Sequence, residues 1–337
     1  MLWYEYNNKS VAVSTRVRLA RNLADVPFPS KLKREEYIAT NIMIAEQILS
    51  CNLDGIKLRR IDMTSLGSVE TYAMVERHCI SPKFAADKDG RILLMSDDES
   101  VSIMIGEEDH LRIQVLKVGE NLEEAYSICD MIDSAIGKKL KFAFDERLGY
   151  LTECPTNLGT GMRASLMLHL PVLKASGELS GISRSCSRFG LTFRGFYGEG
   201  SKSKADIYQL SNQVTLGVSE KECISNLKNV ASQIISRENS ALANIDRDRL
   251  EDKVCRAFGI LKYSRRLTTE EMMQHVTSLL LGVRSEVIML PESISPMNIF
   301  ITMQPAMINR IKGEISPNER DSFRADSIRK LLSTVEI

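Results

Sequence analysis

The sequence predicts an α+β protein that continues into a helical C-terminal domain. Up to about residue 250, segments with alternating apolar residues are interspersed with amphipathic helical segments, and beyond it the strand-like segments nearly vanish. At 337 residues the chain is long enough for a large core and for two domains. We therefore divide it into a body of residues 1–250 and a helical domain of residues 251–337.

Hydrophobic spacing and helix caps predict the elements of the body. Residues 35–49 carry apolar residues at helical intervals, which predicts an amphipathic helix. Two later helices are predicted from N-terminal capping pairs, Asn121 with Glu124 and Ser219 with Glu222. Apolar runs predict strands at residues 91–95, 101–105, 111–118 and 191–196.

The last helix of the C-terminal domain has the clearest predicted start. Ser316 is placed as the N-cap, Pro317 lies in the first turn, and Glu319 follows three residues after the cap. Further helices of this domain are predicted at residues 252–261, 269–283 and 305–312.

Composition excludes several classes of protein. Basic and acidic residues number 44 each, so no overall positive field draws the chain to nucleic acid or to a membrane. The N-terminus lacks the features of a signal peptide, and no apolar run approaches the roughly 18 residues that span a bilayer. Seven scattered cysteines without a C-x-x-C pair indicate reduced thiols, so we expect a cytoplasmic protein without a protein metal site.

Residues 154–163, with the sequence CPTNLGTGMR, form the most informative segment of the chain. Their two glycines permit a close approach of backbone to a ligand, while Thr160 and Arg163 add donors suited to phosphate. Exposed backbone N–H groups in such a turn can form an anion-binding nest. The alternative is an ordinary glycine-rich turn, but cysteine, proline and arginine at fixed spacing favour an anion site.

Arg16 and Arg18 stand two residues apart in the segment 14–21. If this segment is extended, both guanidinium groups project from one face of a strand. Neighbouring like charges repel, so such a face suits an anionic partner, and a solvated edge strand is the alternative.

A cluster of acids is predicted at a hairpin tip between two strands. Glu107, Glu108 and Asp109 are consecutive there, and Arg112 follows in the next strand. The cluster would suit a cationic substrate beside an anionic one, although a solvated turn is the usual explanation for such a sequence.

Residues 194–200 end a predicted strand and enter a loop rich in glycine. Arg194 closes the strand, and Glu199 lies among the glycines. This composition is consistent with a flap that closes on a substrate, but glycine loops with one acid are common.

Together these segments suit phosphoryl transfer to a cationic acceptor. ATP carries several negative charges, and arginine binds phosphate bidentately, so arginines with Mg²⁺ would neutralise the transferred group. A guanidinium is a poor nucleophile because its pKa lies above about 12, so carboxylates such as Glu108 and Glu199 must orient it and accept a proton. The phosphate-binding arginines would be Arg16, Arg18, Arg112, Arg163 and Arg194.

In these motifs the sequence resembles the phosphagen (guanidino) kinase family, and within it the McsB-type protein arginine kinases of bacteria. The motifs S-T-R-V-R, E-E-D-H-L-R, C-P-T-N-L-G-T-G-x-R and R-G-x-x-G-E occur in family order between residues 10 and 215. The resemblance implies an antiparallel β-sheet flanked by helices, similar to the catalytic domain of glutamine synthetase. It also implies an ATP- and Mg²⁺-dependent kinase that phosphorylates arginine side chains of proteins.

The resemblance further implies roles for individual residues. The five arginines resemble ligands of the nucleotide phosphates, and His78 resembles a histidine near the nucleotide, with a core or surface histidine as the alternative. Glu108 is similar to the carboxylate that holds the guanidinium, Glu199 to its partner on the closing loop, and Cys154 to a thiol beside the guanidinium. We count Asp109 with these catalytic residues.

Three features depart from the pattern of the family. Gly106 replaces the asparagine that usually precedes E-E-D-H, which we expect to loosen the hairpin tip, and Met167 replaces a histidine of the small-molecule members. Arg16 lies close to the N-terminus, whereas small-molecule kinases carry a helical domain before this motif. We therefore expect an open acceptor site, which suits an arginine on a protein.

Arg320, Asp321 and Arg324 match the R-D-x-x-R-A motif with which McsB-type kinases bind phosphoarginine outside the active site. Four residues apart on a helix, Arg320 and Arg324 would share a face and hold one phosphate. Asp321 would take the guanidinium end of the ligand, and an ion-paired surface helix is the alternative.

The resemblance implies partners as well. Protein substrates with exposed arginines would be marked for a Clp protease in the stress response. A zinc-binding activator, a stress-gene repressor and a Clp ATPase would be partners, and the chain would form a homodimer or higher homo-oligomer.

Two alternative functions remain, a small-molecule arginine kinase and a non-catalytic phosphoarginine-binding adaptor. Retention of the five arginines, both glutamates and Cys154 argues against the adaptor.

Overall fold

The computed structural model describes residues 2–5, 9–196 and 205–336. The strands are β1 (Ala12–Arg21), β2 (Leu58–Asp62), β3 (Ile92–Ser96), β4 (Val101–Ile105), β5 (Leu111–Val118), β6 (Phe144–Asp145), β7 (Gly149–Tyr150), β8 (Met162–His169), β9 (Leu191–Gly195) and β10 (Ile207–Asn212). The α-helices are α1 (Arg34–Leu49), α2 (Ser68–Glu76), α3 (Pro82–Ala86), α4 (Leu122–Gly137), α5 (Pro171–Ala175), α6 (Leu179–Arg188), α7 (Glu220–Ala243), α8 (Arg247–Tyr263), α9 (Thr269–Arg284), α10 (Pro296–Thr302), α11 (Pro305–Lys312) and α12 (Pro317–Leu331).

Eight of these strands form one sheet, in the order β2-β3-β4-β5-β1-β8-β10-β9. Every neighbouring pair in it is antiparallel, and β1 lies between β5 and β8 near the centre. Strands β6 and β7 form a separate small hairpin. The predicted antiparallel sheet flanked by helices, followed by a helical C-terminal part, is therefore confirmed.

The two faces of this sheet differ in polarity. Because side chains alternate across a strand, Val17 and Leu19 point to one face of β1, while Arg16 and Arg18 point to the other. The first face is apolar and belongs to the main hydrophobic core, where α4 packs on β1 and β5 and α7 packs on β8 and β10. These helices cover the apolar face, and the site forms on the opposite face, which carries the arginines.

The C-terminal helices pack on one end of the same sheet. Their hydrophobic core includes Val13, Leu116 and Met167 from β1, β5 and β8. Polar contacts reinforce the junction. The Glu76 carboxylate at the end of α2 accepts hydrogen bonds from the backbone N–H groups of Ala306 and Met307, in the first turn of α11, at 2.9 and 2.8 Å. Nowhere in the described residues is a helix both long and apolar enough to cross a membrane.

A buried ion pair joins β1 to α4 and to the segment before β8. The Arg21 guanidinium donates to both carboxylate oxygens of Asp133, with a closest distance of 2.9 Å. Its remaining terminal nitrogen donates to the carbonyl oxygens of Ala20 and Thr160, at 2.9 and 3.0 Å. This side chain therefore fixes the turn that precedes β8 relative to the central strand.

The predicted elements are largely confirmed, with corrections at two helices. The capping boxes of Ser219 and Ser316 form as predicted. Asn121 precedes α4 but makes no side-chain cap, because its amide donates to Val118 O instead. In α1 the apolar spacing predicts a buried face of Ile38, Ile42, Ala45 and Leu49. Ala45 is buried, but Leu49 is exposed, and Ile48 is buried instead.

Replacement of Asp133 by alanine tests the buried ion pair. Asp133→Ala would leave the Arg21 charge buried without its carboxylate, so we expect the free energy of unfolding to fall by about 3–5 kcal/mol. Glu124→Ala breaks the exposed pair with Lys117 and should cost about 1 kcal/mol or less. Denaturant unfolding measures both variants, and an equal effect of the two would contradict the structural role of Arg21.

Candidate active site

Strand pairing brings the predicted arginines together on the face of the sheet opposite α4 and α7. Arg18 on β1 lies directly opposite Arg163 on β8, and Ala20, two residues along β1, lies opposite Arg112 on β5. Arg16 lies on the same face of β1, two residues from Arg18 in the other direction. Three adjacent strands therefore present four guanidinium groups to one region.

These guanidinium groups repel one another. Burial and the nearby charges of Arg163 and Arg112 lower the pKa of Arg16 to about 10. Burial, together with the charges of Arg16, Arg112 and Arg163, lowers the pKa of Arg18 well below its ordinary value. Such shifts mean that the cations are held close together without enough anionic charge to compensate them.

Few protein groups neutralise this cluster. Arg112 forms an ion pair with Glu107, while Arg16 donates to the Gln209 side-chain oxygen at 3.3 Å. The buried Nε atoms of Arg18 and Arg163 have no hydrogen-bond acceptor among the described residues. Unpaired buried donors of this kind carry a desolvation penalty, and a polyanionic ligand would relieve it.

Arg194 and Glu199 complete the predicted set only in part. Arg194 lies at the end of β9, and its charge contributes to the lowered pKa of Arg163, after burial. It therefore belongs to the same electrostatic cluster as the other four arginines. Glu199 lies outside the described residues.

His78 lies beside the arginine cluster. Its ring contacts Trp3 and Phe196 edge to face, with centroids 5.8 and 5.1 Å away. Burial, followed by the charges of Arg16 and Arg18, lowers the pKa of His78 to about 3, so the ring is neutral. Its role toward a nucleotide stays a prediction, but its position next to two of the arginines is established.

A cavity of about 320 Å³ joins the arginines to the acidic hairpin tip. On one side it is lined by Arg18, Arg112 and Arg163, and on the other by Glu107, Glu108 and Cys154; Ala20, Thr156, Asn157 and Gly161 complete the lining. The cavity therefore has a cationic and an anionic end. This polarity suits a ligand pair that is negative at one end and positive at the other.

Glu108 is the more accessible of the two glutamates in the cavity. Partial burial acts to raise its pKa, but hydrogen bonding to Lys83 and the charges of Lys83 and Arg112 outweigh that effect and lower it. The Cys154 thiol contributes in the same direction and lies 3.0 Å from the Thr156 hydroxyl. Glu108 is thus ionised, and binding of a guanidinium requires this charge. Its carboxylate also faces the Cys154 thiol.

Asp109 lies at the hairpin tip, as predicted, but it does not line the cavity. It is buried, and its carboxylate accepts hydrogen bonds from the Asn22 side chain at 2.6 Å and from the backbone N–H of Glu153 at 2.9 Å. Because it does not line the cavity, we assign it a positioning role. It holds the hairpin tip that carries Glu108 against the segment that carries Cys154.

Two glycines are required by close packing around the site. Gly161 has φ = +61°, and a Cβ atom there would lie 2.6 Å from Ala20 O and 2.7 Å from an Arg21 nitrogen. Gly106 has φ = +80°, and its carbonyl accepts a hydrogen bond from the Tyr37 hydroxyl. A side chain at Gly106 would overlap Asn41, so α1 clamps the hairpin tip, contrary to the loosening that we expected.

Three contributors to the site were missed from the sequence. Asn22 holds Asp109, Lys83 pairs with Glu108, and the Thr215 hydroxyl donates to the carbonyl oxygens of Thr156 and Leu158 at 3.0 and 2.6 Å. Asn22 and Asp109 are 87 residues apart, and Thr215 and Leu158 are 57 apart. No local pattern could reveal such pairs.

The three C-terminal residues of the predicted phosphoarginine site are placed differently. Arg324 is buried, and its guanidinium donates to Met303 O, Leu267 O, the Thr269 hydroxyl and Asp321. Arg320 donates to Ile315 O. In this structure Arg324 is a core residue, and the Asp321 carboxylate pairs with Arg324. The phosphoarginine site therefore stays a prediction.

Comparison with known proteins places this site in a family context. Residues 41–241 match the family model described as ATP:guanido phosphotransferase, C-terminal catalytic domain. Residues 247–337 match the model described as protein-arginine kinase McsB C-terminal domain. Together the two models account for most of the chain.

Curated relatives extend over nearly the whole sequence. A protein-arginine kinase from Pelotomaculum thermopropionicum is 42% identical over 97% of this chain and 94% of its own. A protein-arginine kinase from Caldanaerobacter subterraneus subsp. tengcongensis is 41% identical over 100% of both chains.

Solved structures are similar in fold. The duplicated taurocyamine kinase from Schistosoma mansoni with bound transition state analog components has a TM-score of 0.62 and 25% identity, covering 75% of this chain and 38% of that one. Lombricine kinase has a TM-score of 0.61 and 23% identity, covering 74% of this chain and 71% of its own.

Replacement of Arg18 tests the arginine cluster. Arg18→Met removes one buried charge, so we expect a higher melting temperature together with about 10- to 150-fold weaker binding of MgATP, the loss of a charge-assisted contact. Isothermal titration and thermal unfolding measure the two effects. Arg34→Met removes an exposed arginine that pairs with Asp89 and should change neither. Unchanged nucleotide affinity in Arg18→Met would contradict the assignment.

The C-terminal arginines can be distinguished in the same way. Arg324→Met leaves buried carbonyl groups without donors and should lower the free energy of unfolding by about 2 kcal/mol or more. Arg320→Met removes a partly exposed side chain and should cost about 1 kcal/mol or less. Denaturant unfolding measures both, and a larger effect at Arg320 would reverse the roles assigned to them.

Proposed function

This chain belongs to the protein-arginine kinase family of ATP:guanido phosphotransferases, and on that premise we propose that it transfers the γ-phosphoryl group of ATP to arginine side chains of proteins. The observation that carries the proposal is a cavity that has a cationic end of arginines and an anionic end at Glu108. Full-length relatives that are named protein-arginine kinase support the choice of acceptor.

The arginine cluster would bind the phosphates of ATP. Arg18 and Arg163 carry donors without protein acceptors in the described structure, and the fixed strand register sets the spacing between them. Phosphoryl transfer is accelerated chiefly by positioning and by charge neutralisation, which a preformed set of guanidinium groups supplies without reorganisation.

Glu108 would bind the acceptor guanidinium at the other end of the cavity. A guanidinium nitrogen attacks the γ-phosphorus, the bond from that phosphorus to the bridging oxygen breaks, and ADP leaves. The nitrogen loses one proton, which the ionised Glu108 carboxylate accepts. Asp109 and Asn22 keep Glu108 and Cys154 in register during this step.

Mg²⁺ would accompany the nucleotide. Among residues 2–5, 9–196 and 205–336 there is no group of three or more His, Cys, Asp or Glu side chains that could hold a metal ion. In kinases Mg²⁺ is bound mainly by the phosphate oxygens of the nucleotide, and it would neutralise charge on the transferred group here.

The proposal for the cellular role rests on the family resemblance alone. We propose that phosphoarginine marks cytoplasmic proteins for Clp-type proteolysis in the stress response, and that a zinc-binding activator and a stress-gene repressor are partners of a homodimer or larger homo-oligomer. Phosphoarginine binding near Arg320 would regulate the activity.

Glu108→Gln tests the assignment of the acceptor site. The variant keeps the shape of the side chain but removes its charge, so we expect transfer to fall by about 10²- to 10⁴-fold while the Kd of MgATP is unchanged. The chain is incubated with magnesium, γ-labelled ATP and a loosely folded protein, and acid-labile label on arginine is counted.

Glu46→Gln, at an exposed position of α1, is the matched control and should retain full activity. Loss of ATP affinity in Glu108→Gln would contradict its acceptor role. Label on free arginine but not on protein would indicate a small-molecule kinase. No label from the unaltered chain, even with an activator present, would leave a phosphoarginine-binding adaptor.

A further inference from the structure

The acceptor carboxylate is already engaged by a cation of the chain itself. The Lys83 ammonium donates to the Glu108 carboxylate at 2.7 Å. The Lys83 side chain is 62% exposed, whereas that of Glu108 is 23% exposed. Lys83 therefore approaches Glu108 from the solvent side, where an acceptor arginine must enter.

The backbone that carries Lys83 is firmly held. The Ser81 hydroxyl accepts a hydrogen bond from Phe84 N at 2.9 Å and donates to the Glu107 carboxylate at 2.8 Å. The Arg91 guanidinium donates to the carbonyl oxygens of Lys83 and Phe84 at 2.6 and 3.1 Å. The flexible part of this contact is thus the lysine side chain alone.

An acceptor guanidinium and Lys83 would compete for the same carboxylate. A guanidinium binds a carboxylate best when it bonds to both oxygens in parallel, and Lys83 occupies one of them. Two cations at one carboxylate also repel each other. Exposed ion pairs are weak, so an incoming arginine can displace the lysine at small cost.

Resting on the proposed function, we infer that Lys83 is a charged gate at the acceptor site: each substrate arginine displaces it from Glu108, and the displaced ammonium then selects arginines that have acidic neighbours. The flexible stem keeps the ammonium near the cavity mouth after displacement. There it attracts a carboxylate next to the acceptor arginine and repels a lysine or arginine in that position.

The gate also affects how activity depends on pH. Glu108 faces Lys83 from α3, Arg112 from β5 and the Cys154 thiol, with the acids Glu107 and Asp109 beside it in the hairpin. Lys83 helps to hold the pKa of Glu108 below its ordinary value. Without Lys83 that pKa rises, so the acidic limb of kcat/KM should move to higher pH.

Kinetics of Lys83→Met test the gate with three synthetic peptides. Each peptide contains one arginine, flanked by aspartate, lysine or serine. For the serine peptide above pH 8, we expect the KM to fall by about 1.5- to 5-fold, the strength of an exposed ion pair, while kcat and the KM of ATP stay unchanged. The preference for the aspartate peptide over the lysine peptide should fall several-fold.

Two further variants serve as controls. Lys83→Arg keeps the charge and should keep the wild-type preference. Lys57→Met removes an exposed lysine just before β2 and should change nothing. An unchanged or higher peptide KM in Lys83→Met, with the flank preference intact, would overturn the gate. A wild-type chain that labels none of the peptides or proteins would overturn the proposed function itself, and the gate with it.

Discussion

Electrostatic repulsion among the arginines on one sheet face is the constraint on which the site depends. Arg18 and Arg163 are directly paired across β1 and β8, so the backbone ladder holds together side chains that would separate if they were free. The apolar face of the same strands, covered by α4 and α7, supplies the stabilisation that offsets this repulsion. An anionic ligand therefore meets donors that are already in position, and its binding relieves strain in the folded chain.

The anionic end of the cavity is arranged by a separate set of contacts. Asn22 holds Asp109, Asp109 holds the backbone of Glu153, and Thr215 holds the turn after Cys154. None of these contacts involves a reacting group. They keep a carboxylate and a thiol at a fixed distance from the arginines, and this precision of placement is the main contribution a protein makes to phosphoryl transfer.

Residue patterns predicted the parts of the structure that depend on local order. The strand at residues 111–118 and the capping boxes of Ser219 and Ser316 were predictable because their signals lie within a few residues of one another. Motif resemblance selected Arg18, Arg112, Arg163 and Glu108, which the structure brings to one cavity; their roles stay predictions. The positioning role of Asp109 and the burial of Arg324 were not predictable, because both depend on partners from distant segments whose proximity only the fold determines.

The sheet and the C-terminal helices share a hydrophobic core, so neither segment buries all of its apolar surface without the other. Val13, Leu116 and Met167 belong to the sheet, yet they share a hydrophobic core with residues of α8, α9, α10 and α12. A fragment that ended at residue 250 would expose this apolar patch to water and invite self-association. The two segments, though matched by separate family models, therefore depend on each other for the burial of this apolar surface.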